Sequence, residues 1–101
     1  MPYIEKEDRK SLDDQIEKMA SLIKSLSFEK NGENDFKNML GLINYSFSRI
    51  LMISMESVSY SKIAMATGVV ENVKQELYRR VAARYEDKKI NSNGDLKEYK
   101  E

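Results

Sequence analysis

One helix-compatible run, from Lys62 to Ile90, constrains this chain more than any other feature. No proline interrupts it, and Asn91-Ser92-Asn93-Gly94-Asp95 closes it. Ile63, Val70, Val73, Leu77 and Val81 fall near the three-to-four spacing that keeps apolar side chains on one helical face. Beside that stripe, Glu71-Asn72-Val73-Lys74-Gln75-Glu76-Leu77-Tyr78-Arg79-Arg80 sets charges and a phenol that burial does not explain. Unbroken, the run would be about 45 Å long, more than a domain of about 100 residues comfortably covers. The expectation is a bend near Ala64–Gly68 or a helix that reaches into a neighbouring subunit.

The rest of the chain reads as two further helices. Ser11-Leu12-Asp13-Asp14 offers a serine with an acid three residues on, the pattern of a helix start. Leu12, Ile16, Met19, Ile23 and Leu26 follow as one amphipathic stripe, and Glu29 to Asn34, with its Asn-Gly pair, ends it. Asn34 or Asp35 then caps a helix that carries Phe36, Leu40, Ile43, Phe47, Ile50, Leu51 and Met55. Met39, Leu42 and Met52 widen its apolar arc beyond one core-facing stripe. The spacing predicts an all-α fold, a three-helix antiparallel bundle with a long third helix over 12–27, 35–57 and 61–90, and the second helix most buried. One domain of 101 residues is expected, with 1–10 and 96–101 as flexible ends. The surplus apolar arc of the second helix predicts a homo-oligomer with methionines in the contact.

Composition removes several kinds of chemistry. There is no cysteine and no histidine. Disulfides, thiolate metal sites, His-based triads and the usual zinc ligands are thereby excluded. Seventeen basic and seventeen acidic residues balance, so polymeric nucleic acid or an anionic membrane exerts no bulk pull on the chain. The apolar runs, such as Ile50-Leu51-Met52-Ile53, are too short to cross a bilayer, and Met1–Lys6 lacks the apolar core of a secretion signal. A cytoplasmic protein without cofactor, metal or membrane partner is expected.

Three constellations remain. Glu71, Lys74, Tyr78 and Tyr85 line one helical edge by their offsets, with Arg79 and Arg80 in two adjacent directions behind it. Guanidiniums and a lysine grip phosphate or carboxylate, and tyrosines stack on bases or hydrogen-bond a ribose. The plainer reading is a set of solvated i,i+4 and i,i+3 ion pairs. Second, Asn44, Tyr45, Ser48 and Arg49 sit inside the most apolar helix; burying Arg49 without a partner is costly, which points to Glu71 or Glu76, or to a ligand. Third, Glu71, Glu76, Glu86, Asp87 and Asp95 invite comparison with all-helical nucleotide pyrophosphohydrolases. Their paired acids are not intact here, because Lys74 and Arg79 stand three residues after Glu71 and Glu76.

The chain resembles a family of small, mostly uncharacterised helical proteins found in phages, bacteria and archaea. The likeness rests on Met1-Pro2-Tyr3-Ile4, Asp8-Arg9, Leu42-Ile43-Asn44-Tyr45, Arg49-Ile50, Gly68 to Lys74, Glu76 to Arg80, Tyr85 to Ile90 and Asn93-Gly94-Asp95. The resemblance implies recurrent polar positions at Asn44, Arg49, Glu71, Lys74, Glu76, Arg79, Arg80, Tyr85, Glu86, Asn93 and Asp95, and brings no activity with it. Where that family reads proline before Tyr-Glu, this chain has Arg84, which lets the helix run on. Two functions are expected from these readings. One is a non-enzymatic binder of a small anionic ligand, a nucleotide or nucleotide-derived signal, acting as a phage anti-defence sponge through Asn44, Arg49, Glu71, Lys74, Tyr78, Arg79, Arg80 and Tyr85. The other is a helical oligomeric adaptor that docks a partner protein.

Overall fold

The computed structural model describes residues 3–33 and 35–99, and every element among them is helical. Helices α1 (Lys6–Asn31), α2 (Phe36–Met55), α3 (Tyr60–Leu77) and α4 (Ala83–Asn93) follow in order. A π-helical turn, Tyr78–Ala82, joins α3 to α4, and a short 3-10 turn, Lys97–Tyr99, follows. The expected third helix is therefore a continuous helical run of 34 residues. The chain divides into two compact units, Pro2–Lys62 and Ile63–Glu101.

In the first unit, α1 starts at Lys6 rather than at Leu12. Lys6 to Lys10 contains neither glycine nor proline, so nothing in the backbone stops a helix there. Glu7 and Asp8 lie in its first turn, where carboxylates favour the positive end of the helix dipole. Ser11, read as the cap, lies inside the helix, and its Oγ donates to the Glu7 carbonyl at 3.5 Å. The C-terminus also runs past Ser27, through Glu29 and Lys30, to a stop at Gly32. There φ is 74°, and the Gly32 N–H donates to the Phe28 carbonyl at 2.6 Å. Of the two cap candidates for α2, Asn34 lies outside the described residues, and the Asp35 carboxylate accepts the Lys37 N–H at 3.0 Å.

α2 ends in an unusual turn. Glu56 has φ 62° and ψ −69°, and the Ser57 N–H donates to the Met55 carbonyl at 2.7 Å. That is a γ-turn of the rare, strained kind. Lys62 closes the carbonyl end, its Nζ donating to the Met55 carbonyl at 2.7 Å and to Ser57 Oγ at 3.0 Å. Ser59 caps α3, its Oγ accepting the Lys62 N–H at 3.2 Å.

The first unit buries little. α1 and α2 are in contact, but among the described residues only Met39 (8% exposed) and Ser27 (2%) count as buried. Phe47, Ile50, Met52 and Ile53 of α2 are exposed, as are Leu12, Ile16, Leu22 and Leu26 of α1. Among the described residues α2 is the most covered helix, as expected, with Met39 buried and Leu42, Ile43, Ser46, Leu51 and Met55 half-buried, yet most of its apolar side chains stay exposed. A helix apolar over a wide arc needs neighbours on two sides, and α1 packs against only part of that arc, leaving Phe47, Ile50, Met52 and Ile53 exposed.

Candidate functional site

In the second unit, α3 stays regularly α-helical through Ala64 and Gly68, where a bend was expected. The departure comes ten residues later. At Tyr78–Ala82 the backbone closes with a longer step, the Ala83 N–H donating to the Tyr78 carbonyl five residues back. The sequence carries the cause. Ile63, Ala66, Val70, Val73 and Leu77 alternate steps of three and four, so the next apolar residue is due at position 80, which is Arg80; Val81 is one residue late. A π turn takes up one extra residue and sets everything after it back by about one position, roughly 100° of rotation. Val81 and Tyr85 thereby continue the stripe, and Arg84 leaves it. Arg84 accordingly sits inside a helix that runs on to Asn93, past the expected end at Ile90, until Gly94 stops it with φ 88° and its N–H on the Ile90 carbonyl at 2.8 Å.

This turn redistributes the expected edge. Glu71 accepts Gln75 Nε2 at 3.3 Å and pairs with Lys74 at 3.5 Å. Glu76 takes Arg79 with both Nε at 3.2 Å and Nη2 at 2.8 Å on one carboxylate oxygen. The Arg79 head is thus held rather than free to swing. Arg80 has no hydrogen bond or ion pair among the described residues, and Tyr78 is 60% exposed. Tyr85 was placed below Tyr78 by its offset of seven; the π turn moves it onto the apolar stripe, where the Lys89 ammonium stands 5.5 Å from its ring centroid.

Asn44 and Arg49 belong to the first unit. Asn44 Oδ1 accepts from Ser48 Oγ at 3.2 Å. Arg49 is exposed and lines an open hollow of about 370 Å³ with Tyr45, Ser48, Met52 and Ile53. Glu71 and Glu76, the carboxylates expected to meet Arg49, are each engaged on their own helix. Exposure removes the need for such a partner, because a guanidinium in water carries no burial cost. Among the described residues no group of three or more carboxylates stands close enough to share a metal ion.

Sequence reasoning missed two features. One is the π turn itself, whose signal was the late Val81. The other is a hollow of about 680 Å³ where Leu96 and Tyr99 come back beside Ile90 and Glu86 of α4. Its only sequence signal was the pair of apolar residues in a tail otherwise read as polar.

The structure defines an all-helical protein with a long third helix, in which no helix of the described residues is long and apolar enough to cross a membrane. The chain belongs to the family described as a domain of unknown function (DUF6899), whose model matches residues 1–96. No curated protein matches it. No solved structure does either. The family reached in this way has no assigned activity, in line with the uncharacterised family that the sequence resembles.

Proposed function

We propose that this chain is a non-enzymatic binding protein for a small anionic molecule, a nucleotide or a nucleotide-derived signal, which it sequesters at the basic and phenolic edges around the π turn. The observation that carries the reading is the coincidence of that turn with Tyr78, Arg79 and Arg80. π turns are rare inside α-helices and concentrate at functional sites. Here one guanidinium is held by Glu76 and its neighbour has no partner among the described residues. A fixed and an unpaired arginine side by side suit an anion with several oxygens, such as a phosphate.

Helix geometry adds a condition. At roughly 100° per residue, Lys74 and Tyr78 fall on one flank of the apolar stripe and Arg80 on the other. A ligand gripped by both flanks therefore needs more than one copy of the chain, and the binding form is proposed to be a homo-oligomer with its pocket between subunits. Packing of the three helices as an antiparallel bundle, and a cytoplasmic, phage anti-defence role, belong to the same reading. The exposed apolar faces of α1 and α2 favour a second one, a helical adaptor that docks another protein.

Calorimetric titration with nucleotides, cyclic dinucleotides and ADP-ribose derivatives, with product analysis in magnesium, separates them. Stoichiometric binding without product is expected. No heat across the panel supports the adaptor, and magnesium-dependent hydrolysis restores the pyrophosphohydrolase comparison.

A further inference from the structure

On the flank of the apolar stripe that carries Arg80, two more cations follow. Arg84 and Lys88 come after Arg80 at successive intervals of four residues, all within the second unit. Four residues carry an α-helix about 40° past a full turn. Part of the longer π turn lies between Arg80 and Arg84 and takes that excess back, so Arg84 stands one turn along from Arg80 on the same flank. Lys88 follows Arg84 inside regular α4, at the spacing of helical neighbours. The row runs about 12 Å along the helix axis.

None of the three cations is spent within the fold. Arg80, Arg84 and Lys88 are exposed, and none has a hydrogen bond or ion pair among the described residues. Two carboxylates stand within reach by spacing. Glu76, four residues before Arg80, is taken by Arg79 at 2.8 Å. Asp87, three residues after Arg84, makes no ion pair among the described residues. The next lysine, Lys89, is held instead over the Tyr85 ring, 5.5 Å from its centroid. Like charges at i,i+4 destabilise a helix, so the row costs the fold stability and returns none through contacts of its own. An anion laid along it removes that repulsion.

Spacing narrows the kind of anion. A lone phosphate presents its oxygens at one point, whereas the row presents charge at steps of about 5.4 Å, one helical turn. A chain of phosphates matches it along its length. Guanidiniums take phosphate oxygens in pairs, and a lysine adds a point charge at the far end.

We infer that Arg84 and Lys88 extend the anion site of the π turn, and that its ligand carries an oligophosphate, the di- or triphosphate of a nucleotide, along the Arg80–Arg84–Lys88 row. This rests on the proposed reading of Arg79 and Arg80 as an anion site and adds to it two residues and a ligand class.

Calorimetric titration of the full chain with AMP, ADP, ATP and inorganic tripolyphosphate, without magnesium, tests it. Affinity is expected to rise with each phosphate, by about tenfold or more from AMP to ATP. Arg84→Gln with Lys88→Gln should lower the affinity for ATP and tripolyphosphate by about tenfold, flatten its dependence on salt, and leave AMP within about twofold. Glutamine keeps the helix, which circular dichroism checks, and the melting temperature without ligand should hold or rise. If the double change unfolds the chain, Arg84→Gln alone is read, with a loss of about threefold or more expected for ATP. Arg84→Lys, which keeps the charge, should retain most of the affinity, and Lys10→Gln, which removes an exposed charge from α1, should retain all of it. Equal affinity for AMP and ATP, no binding of ATP or tripolyphosphate, or an equal loss in the Lys10 variant overturns the inference and leaves the row a solvated face. The two readings fail separately. Nucleotides bound as tightly after the Arg84 and Lys88 changes keep the anion site and lose the row; tripolyphosphate bound through the row without any nucleotide keeps the row and loses the nucleotide.

Discussion

At the scale of single residues, Arg79 and Arg80 differ in a way the sequence hides. Glu76 orients Arg79, and nothing among the described residues orients Arg80. Arg80→Ala is therefore expected to weaken nucleotide binding by about 1.5–3 kcal/mol, the range of a charge-assisted hydrogen bond. Its melting temperature should hardly move. Arg79→Ala should weaken binding on the same scale, and it also deletes an i,i+3 ion pair that is solvent-exposed on the arginine side and contributes little to folding. Calorimetric titration and thermal unfolding of both variants check this; equal affinity to wild type in both would remove the two arginines from the site. A second residue-scale expectation concerns Glu56, a non-glycine residue at φ 62° in a strained γ-turn. Glu56→Gly should raise stability by about 1 kcal/mol, since glycine adopts positive φ without a Cβ penalty. Denaturant unfolding reads the difference.

At the scale of elements, the π turn is the part that local propensity does not require. It takes up one residue, so deleting Ala82 should let the turn close as ordinary α-helix while Tyr85 keeps its place relative to Leu77. Helicity and melting temperature are expected to hold or rise. Ligand affinity is expected to fall, because Arg80 loses its position against Arg79. Circular dichroism with the same titration distinguishes the cases, and a variant that unfolds would show that the turn serves packing rather than binding. The helix ends themselves follow ordinary rules. Asp35 and Ser59 accept from the first-turn N–H groups of α2 and α3, and Gly32 and Gly94 stop α1 and α4 at positive φ.

At the scale of the whole molecule, the amount of apolar side chain left uncovered is the governing fact. In the proposed homo-oligomer, the exposed stripes on α1, α2 and α3 make folding and association draw on the same side chains. Stability should then depend on concentration. Each tenfold increase in protein should add on the order of 1 kcal/mol of apparent stability through mass action, seen as a rising melting temperature in calorimetric scans. A melting temperature independent of concentration would point to a chain that is stable alone.

The sequence by itself determined the all-α class, the turn around Asn31-Gly32, a cap at Asn34 or Asp35 for α2, and the close of the last helix within Asn91–Asp95. Each of these depends on residues within a turn or two of one another, and local hydrogen bonding and backbone freedom are written directly in residue type. It also placed Lys74, Tyr78, Arg79 and Arg80 on one stretch of helix. It did not show that α1 begins at Lys6, because an inviting cap at Ser11 competes with a helix that nothing stops. Glu71 pairs with Lys74 as the i,i+3 spacing predicts, whereas the hold of Glu76 on Arg79, the departure of Tyr85 from the polar edge and the exposure of the apolar stripes were decided only in three dimensions. A single longer backbone closure at Tyr78–Ala82 rotates every later side chain by about one residue position. Burial, unlike helicity, depends on what lies alongside a helix rather than on the helix itself.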